Sequence, residues 1–395
     1  MLSLLPFSPA GAAFRLIGRS PLVALLPIAA VVVAAWLAQH PAAASPLFEL
    51  GQLAPVSPPA LPRDQPAPAS TPVPSKPTRE PLLEAKLKRV LRDGKTPYAA
   101  TVLLEIGSGR VIAIAEHSTR GPAEGLALKA MAPAASIFKL VTSSALLQSG
   151  VSPDSAVCTH GGKTRMSPAL LVENPRRDRL CATFADVVPQ SLNVAIAKLA
   201  LKHLDPDALR SEATRWGFGE RFGDMDPSVA IIPDDPFAFA NAAAGFGDVK
   251  ISAMHGAMIA AAVVQDGLLV PPRLHDGQDQ DAARRALPAD TAKALKRMMV
   301  DTVAAGTGRR AFLQAPRLGA SAGGKTGSLA DYQTGLETSW FVGFAPADRP
   351  AIAVASVVIN TASWHVKAPA VAKEALRAYF QAHPIEKPRQ LVARK

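Results

Sequence analysis

Hydrophobic patterning divides the chain into five zones. An unbroken apolar run occupies residues 21–38 (PLVALLPIAAVVVAAWLA), and a stretch without periodicity follows it. Beyond that come short β-like runs, a long helical middle, and β-like runs again near the end. Residues 82–91 (LLEAKLKRVL) carry apolar positions at helical spacing and predict an amphipathic helix. Residues 99–106 (AATVLLEI) and 111–115 (VIAIA) read as two strands, with Gly107, Ser108, Gly109 and Arg110 as the hairpin turn. Ile137, Leu140, Val141 and Leu147 then recur at helical spacing. They predict a helix that opens at Pro133, where a missing N–H costs nothing, and stops at Gly150. Thr183 and Asp186 have capping-box spacing, Pro189 interrupts that helix, and another begins near Asn193. Helical periodicity continues over 205–216, 252–265 and 289–304. Strands are expected within 318–329, 337–344 and 351–360, and a last helix over 371–382.

Strands at both ends with helices between them imply a mixed α/β (α+β) fold. The early and late strands would share one sheet, and an α-rich insertion would sit beside it. No internal repeat interrupts this reading.

The first two zones concern placement. The run at 21–38 is uncharged and about long enough to cross a bilayer. Arg15 and Arg19 precede it, and the next cation is Arg63. By the positive-inside rule, residues 1–20 are expected in the cytoplasm, 21–39 as an anchor, and the rest on the extracytoplasmic side of the inner membrane. The alternative is a cleaved signal peptide, because Ala42, Ala43, Ala44 and Ser45 resemble a small-residue cleavage site. Ten prolines between residues 51 and 81 cannot pack a core. They make residues 40–81 an extended spacer, which leaves 82–395 as the folded domain.

Charge and cysteine content fit export. The formal charge is +11 with aromatics at 5%. The basic residues are spread out, with no nucleic-acid-binding motif, so the balance suits an anionic envelope rather than nucleic acid. Only two cysteines exist, Cys158 and Cys181. In an oxidising compartment they are expected to pair; the alternative is two separate buried thiols. They are too few for a metal site, no histidine pair has metal spacing, and neither metal nor cofactor is expected.

Chemistry concentrates in three short motifs. Ser136 and Lys139 lie three apart near a helix start, so hydroxyl and amine would share a face at the positive end of the dipole. A buried lysine there could be held partly neutral and serve as a base for the serine. Ser191 and Asn193 follow the break at Pro189. Lys325, Thr326, Gly327 and Ser328 lie on the glycine-rich strand. Singly each motif is weak, and surface-helix, capping and strand-packing readings compete with it. Their order and context give them weight.

With these motifs the chain resembles the serine penicillin-recognising enzymes, and specifically the transpeptidase domain of penicillin-binding proteins. Segments Gly306–Arg309 (GTGR), Trp340–Pro346 (WFVGFAP), Ala243–Gly247 (AAGFG) and Val270–Pro272 (VPP) are similar to further parts of that domain. The resemblance spans roughly residues 97–382. It implies a β-lactamase/transpeptidase-like fold: an antiparallel sheet flanked by helices, plus an all-α subdomain. It also implies a peptidoglycan D,D-transpeptidase. Ser136 would attack a D-alanyl-D-alanine carbonyl or a β-lactam, Lys139 would take the proton, and Ser191 would relay it. Asn193, Lys325, Thr326, Gly327 and Ser328 would hold the substrate, with oxyanion donors at the N–H groups of Ser136 and Ser328. Arg309 is a ligand contact or an ion pair, and Asp331 and Tyr332 border the cleft or are solvated.

Three other outcomes stay open. Water as acceptor makes a D,D-carboxypeptidase. A β-lactamase of one class carries valine where this chain has Asn193, and another needs a glutamate after the second motif; Glu173 precedes it. A domain that only senses β-lactam or peptidoglycan would be expected to have lost a motif. The spacer is too short to fold into the pedestal of large family members. Protein partners are not indicated.

Overall fold

A computed structural model describes residues 76–162, 165–277, 282–313, 318, 321–361 and 366–385. The N-terminal run at 21–39 and most of the spacer lie outside the described residues. Among the described residues no helix is long and apolar enough to cross a membrane.

Helix α1 is Pro81–Asp93, followed by strands β1 (Tyr98–Glu105), β2 (Val111–Ser118) and β3 (Ala132–Pro133). A 3-10 turn, Ala135–Ile137, leads into α2 (Lys139–Gln148). The middle holds β4 (Ala156–Thr159), α3 (Pro168–Leu171), β5 (Leu180–Thr183), α4 (Phe184–Gln190), α5 (Asn193–His203), α6 (Pro206–Arg215), β6 (Val229–Ala230), α7 (Pro236–Ala243) and β7 (Val249–Ile251). Then come α8 (Ala253–Val264), β8 (Leu268–Leu269), β9 (Arg284–Arg285), α9 (Ala289–Ala304), α10 (Arg309–Phe312), β10 (Gly323–Asp331), β11 (Leu336–Ala345), β12 (Ile352–Thr361) and α11 (Ala368–Ala382).

The main sheet has the order β10-β11-β12-β1-β2 and is antiparallel throughout. The last strand of the chain thus pairs with the first, Tyr98 opposite Ile359. Alternation along the strands explains why each run reads as almost continuously apolar. In β1, Ala99 and Leu103 point to one face with α1 and α11, while Ala100, Val102 and Leu104 point to the other. That second face meets α8, whose residues are nearly all buried, as the uniformly apolar sequence AMHGAMIAAAVV requires. Both faces are covered, so both are mainly apolar.

Several boundaries differ from expectation. Packed structure starts before residue 82: the Thr78 N–H donates to Leu274 O at 3.0 Å and its hydroxyl to Val111 O at 2.8 Å. The Glu80 N–H donates to Ile112 O at 2.8 Å. Glu84 then accepts from the Ile114 N–H at 2.9 Å. Residues 78–84 therefore cover the exposed edge of β2, a role that proline-rich composition conceals. Pro133 lies in β3 instead of opening a helix, since its neighbour pairs with β7 (Ala132 opposite Ile251). Pro189 sits inside the last turn of α4, which ends instead at Ser191 in the left-handed region (φ 55°). The capping pattern at its start is present, with the Thr183 N–H donating to the Asp186 carboxylate at 2.9 Å.

Cys158 and Cys181 face each other across β4 and β5 and are joined by a disulfide. Closing a 23-residue separation constrains the unfolded chain by about 3 kcal/mol on the loop-entropy account. We expect Cys158→Ser/Cys181→Ser to lower unfolding free energy by about that amount in denaturant titrations; an unchanged midpoint would refute this.

Candidate active site

The first motif is built by a strained turn rather than by one helix. Ala135 has φ +47°, a left-handed conformation that costs a non-glycine residue of order 1 kcal/mol. The turn places Ser136 in the 3-10 segment and Lys139 at the first position of α2. Neighbouring groups hold the bend in place. The Ala134 N–H donates to Val249 O at 2.8 Å, and Trp340 Nε1 donates to Pro133 O at 2.8 Å. Gly245 (φ +89°) passes so close that a Cβ there would overlap the Ala135 carbonyl.

Lys139 Nζ lies 2.8 Å from Ser136 Oγ and donates to Ala244 O at 2.6 Å. It also sits 5.7 Å from the centre of the Phe246 ring. The lysine is fully buried. Burial, and then the positive charge of Lys325, hold its pKa well below that of a free lysine. A neutral amine there can donate to Ala244 O and accept the Ser136 proton. Hydroxyl and amine are thus already paired.

The other motifs come to the same place from different elements. Lys325 is on β10, whose residue Gly327 lies against Ala134 and Ala135. Lys325 Nζ donates to Ser191 Oγ at 3.0 Å and to Thr326 O at 2.8 Å. It too is fully buried, and burial pushes its pKa down to about 7. The left-handed Ser191 ends α4, and Asn193, also buried, starts α5. Among the described residues no carboxylate hydrogen-bonds Ser136, Lys139, Ser191 or Lys325.

Strand β10 is an edge strand of the main sheet. One side pairs with β11, Gly327 opposite Trp340, and among the described residues no strand pairs with the other. The glycines before Lys325 are needed because the rings of Phe344 and Phe341 occupy the space of a Cβ at Gly323 and Gly324. Along the strand, Lys325 and Gly327 are buried while Ser328 is exposed.

Some residues were missed by sequence reasoning. Thr307 bridges two motifs: its hydroxyl lies 2.6 Å from Thr326 Oγ1, and its N–H donates to Pro189 O at 3.0 Å. Ala244 and Gly245 supply the acceptor for Lys139 and the room for its turn. Both sets fall in segments whose resemblance was visible, GTGR and AAGFG, but nothing in either pattern reveals a backbone acceptor. Arg309 is exposed, with no ion pair among the described residues, and Asp331 and Tyr332 are solvated. Asp331 accepts from the Gln333 N–H and the Thr334 hydroxyl in its own turn. His255 is buried between Ser228 Oγ (2.6 Å) and Trp216 O (2.8 Å), and burial lowers its pKa to about 4, so it stays neutral and structural.

The fold and its lysine-serine site define a mixed α/β protein of the penicillin-recognising architecture. The described fold is similar to that of penicillin-binding protein A from Mycobacterium tuberculosis, solved as a penicillin G acyl-enzyme complex. The TM-score is 0.63 at 20% identity, covering 78% of this chain and 80% of the other. The family model of the penicillin binding protein transpeptidase domain matches residues 99–378, and the chain belongs to that family. Stage V sporulation protein D of Bacillus subtilis is 28% identical over 201 residues, 45% of this chain and 30% of the relative. Peptidoglycan D,D-transpeptidase PbpA of Mycolicibacterium smegmatis is 25% identical over 248 residues, 57% and 49%. The chain thus spans half or less of the length of these curated relatives.

The two buried lysines fix a pH dependence. Above pH 7 the folded Lys325 is neutral, while an unfolded lysine stays protonated to about pH 10.5. The unfolded state then binds more protons, so stability rises with pH across that window, with Lys139 adding in the same direction. Urea midpoints measured between pH 7 and 9.5 should rise in wild type and flatten in Lys325→Met. Gly245→Ala should cost at least about 2 kcal/mol, because it combines strain at positive φ with overlap on Ala135; a near-neutral effect would contradict the tight turn.

Proposed function

We propose that the chain is a membrane-anchored D,D-transpeptidase that acts on D-alanyl-D-alanine stem peptides of peptidoglycan through an acyl-enzyme on Ser136. The carrying observation is the 2.8 Å contact between Ser136 Oγ and the buried Lys139 amine. Ser136 Oγ attacks the penultimate D-alanyl carbonyl while Lys139 takes its proton. Backbone N–H groups of Ser136 and Ser328 receive the oxyanion, worth about 3 kcal/mol per donor. The C–N bond then breaks, and D-alanine leaves with a proton relayed through Ser191. Lys325, Thr326 and Ser328 hold its carboxylate, Asn193 holds the peptide amide, and Gly327 lets the peptide lie along β10. The amine of a second stem peptide then attacks the ester and frees Ser136.

Two observations speak against a β-lactamase that uses a glutamate base. No carboxylate touches the serine–lysine pair among the described residues, so a water at the ester lacks a carboxylate base. Glu173 lies beside Asp178 and Lys198 along a different cavity. β-Lactams, which imitate the D-alanyl amide, become inhibitors through a lasting Ser136 ester. For placement, residues 1–20 are read as cytoplasmic, 21–39 as the inner-membrane anchor, 40 onward as a spacer, and the folded domain as extracytoplasmic. The disulfide fits an oxidising compartment.

Incubating the full-length chain with fluorescent penicillin tests this reading. A stable adduct is expected in wild type and none in Ser136→Ala. Stem pentapeptides should yield crosslinked dimers with loss of D-alanine by mass. Folded wild type that takes no label sinks the assignment, and label lost within seconds would instead indicate a β-lactamase.

A further inference from the structure

The run Arg176-Arg177-Asp178-Arg179 plays no part in the chemistry described above, yet it is among the most firmly held surface turns of the molecule. Its one acid points inward. Asp178 bonds His160 Nδ1 through one oxygen and accepts from Lys198 Nζ (2.9 Å) and the Asn174 N–H (2.9 Å) through the other. These partners keep it ionised, with its pKa below the usual carboxylate range, and Lys198 balances its charge. Asn174 Oδ1 accepts from the N–H groups of Arg176 and Arg177, and Asn174 O from those of Arg177 and Asp178. Arg179 Nε donates to Arg176 O at 3.2 Å. All three arginines are exposed, and among the described residues none pairs with a carboxylate. Three uncompensated guanidinium groups are therefore displayed on a turn that is already ordered.

The turn is also tied to the second motif. Lys198, which grips Asp178, belongs to α5, the helix that Asn193 starts, and it also donates to Cys158 O at 3.1 Å. Cys181, two residues after Arg179, closes the disulfide. A cavity of about 510 Å³ runs from Asn193 and Leu192 to Leu180 and Cys181. Leu180, which directly follows Arg179, lines the same cavity as Asn193.

We propose that Arg176, Arg177 and Arg179 form a subsite for the carboxylates of an acidic peptide, namely the stem peptide processed at Ser136, and so set a preference for carboxylate-bearing over amidated substrate. The inference rests on the functional reading above. Guanidinium groups match carboxylates in paired geometry, and a preordered turn loses little entropy on binding. An anionic lipid headgroup shares the charge, but Leu180, next to Arg179, lines the same cavity as Asn193, which favours a chain held at the serine site.

The test uses the full-length chain carrying Ser136→Ala, so that bound peptide persists. Affinity is measured by fluorescence anisotropy for a labelled acidic stem pentapeptide and for the same peptide with every carboxylate except the C-terminal one amidated. Adding Arg176→Gln/Arg177→Gln/Arg179→Gln should weaken the acidic peptide roughly tenfold, from three exposed pairs, and leave the amidated one unchanged. The loss should shrink as salt rises. With Ser136 intact, the triple variant should take fluorescent penicillin at the wild-type rate, which checks that it folds. Equal affinity for the acidic peptide with and without the arginines overturns the proposal. So does loss of soluble short-chain phosphatidylglycerol binding with peptide binding untouched, which would assign the turn to lipid. Absence of penicillin labelling in wild type would defeat the Ser136 reading, while an arginine-dependent preference for the acidic peptide would still stand.

Discussion

The organising constraint is that two lysines, Lys139 and Lys325, are fully buried without a carboxylate partner among the described residues. Burying an ammonium is expensive, and a protein ordinarily neutralises it with an acid. Here the first acceptors are neutral: a serine hydroxyl and the Ala244 carbonyl for Lys139, a serine hydroxyl and the Thr326 carbonyl for Lys325. An acid in their place would stabilise the protonated form and remove the base. The cost in stability leaves both amines with lowered pKa values, the property that the proposed base role of Lys139 needs.

Holding those amines requires that four chain segments converge. The sheet supplies β10 with Lys325, the strained turn supplies Ser136, the α4–α5 junction supplies Ser191 and Asn193, and the end of α7 supplies Ala244. The left-handed residues Ala135 and Ser191 sit at the two places where the chain must reverse within the site. Each conformation is unfavourable alone and is offset by packing around it: Trp340 and Gly245 at the first, Lys325 and the capped α4 at the second. Coverage of the β2 edge by residues 78–84 leaves β10 as the edge of the main sheet where a peptide can add.

Much of this was legible in the chain. The three motifs were found by residue type and order, and the sheet by the return of β-like runs near the C-terminus. The disulfide pairing was expected from compartment and count. Conformation at single residues was not legible. Nothing in PAASIFK announces that Pro133 is in a strand and Ala135 left-handed, because that bend is imposed by Trp340 and Gly245, which lie far along the chain. The proline-rich composition hid the packing of residues 78–81 for a similar reason: their partners, Val111, Ile112 and Leu274, come from the folded body. Backbone acceptors such as Ala244 O leave no trace in side-chain patterns.

The buried cluster of Lys198, Asp178 and His160 contrasts with the site and clarifies it. There a lysine does meet a carboxylate, and the pair is hydrogen-bonded and tied to the disulfide strand through Cys158 O. Among the described residues three lysines are thus buried in two ways. Where the lysine supports a turn, its charge is matched. Where it serves a serine, its charge is left unmatched and its pKa falls. The difference lies in which neighbours the fold supplies, and α5 carries a piece of each arrangement: Asn193 at its start and Lys198 farther along. Its position therefore links the geometry of the serine site to that of the arginine turn, and a shift of this helix would disturb both.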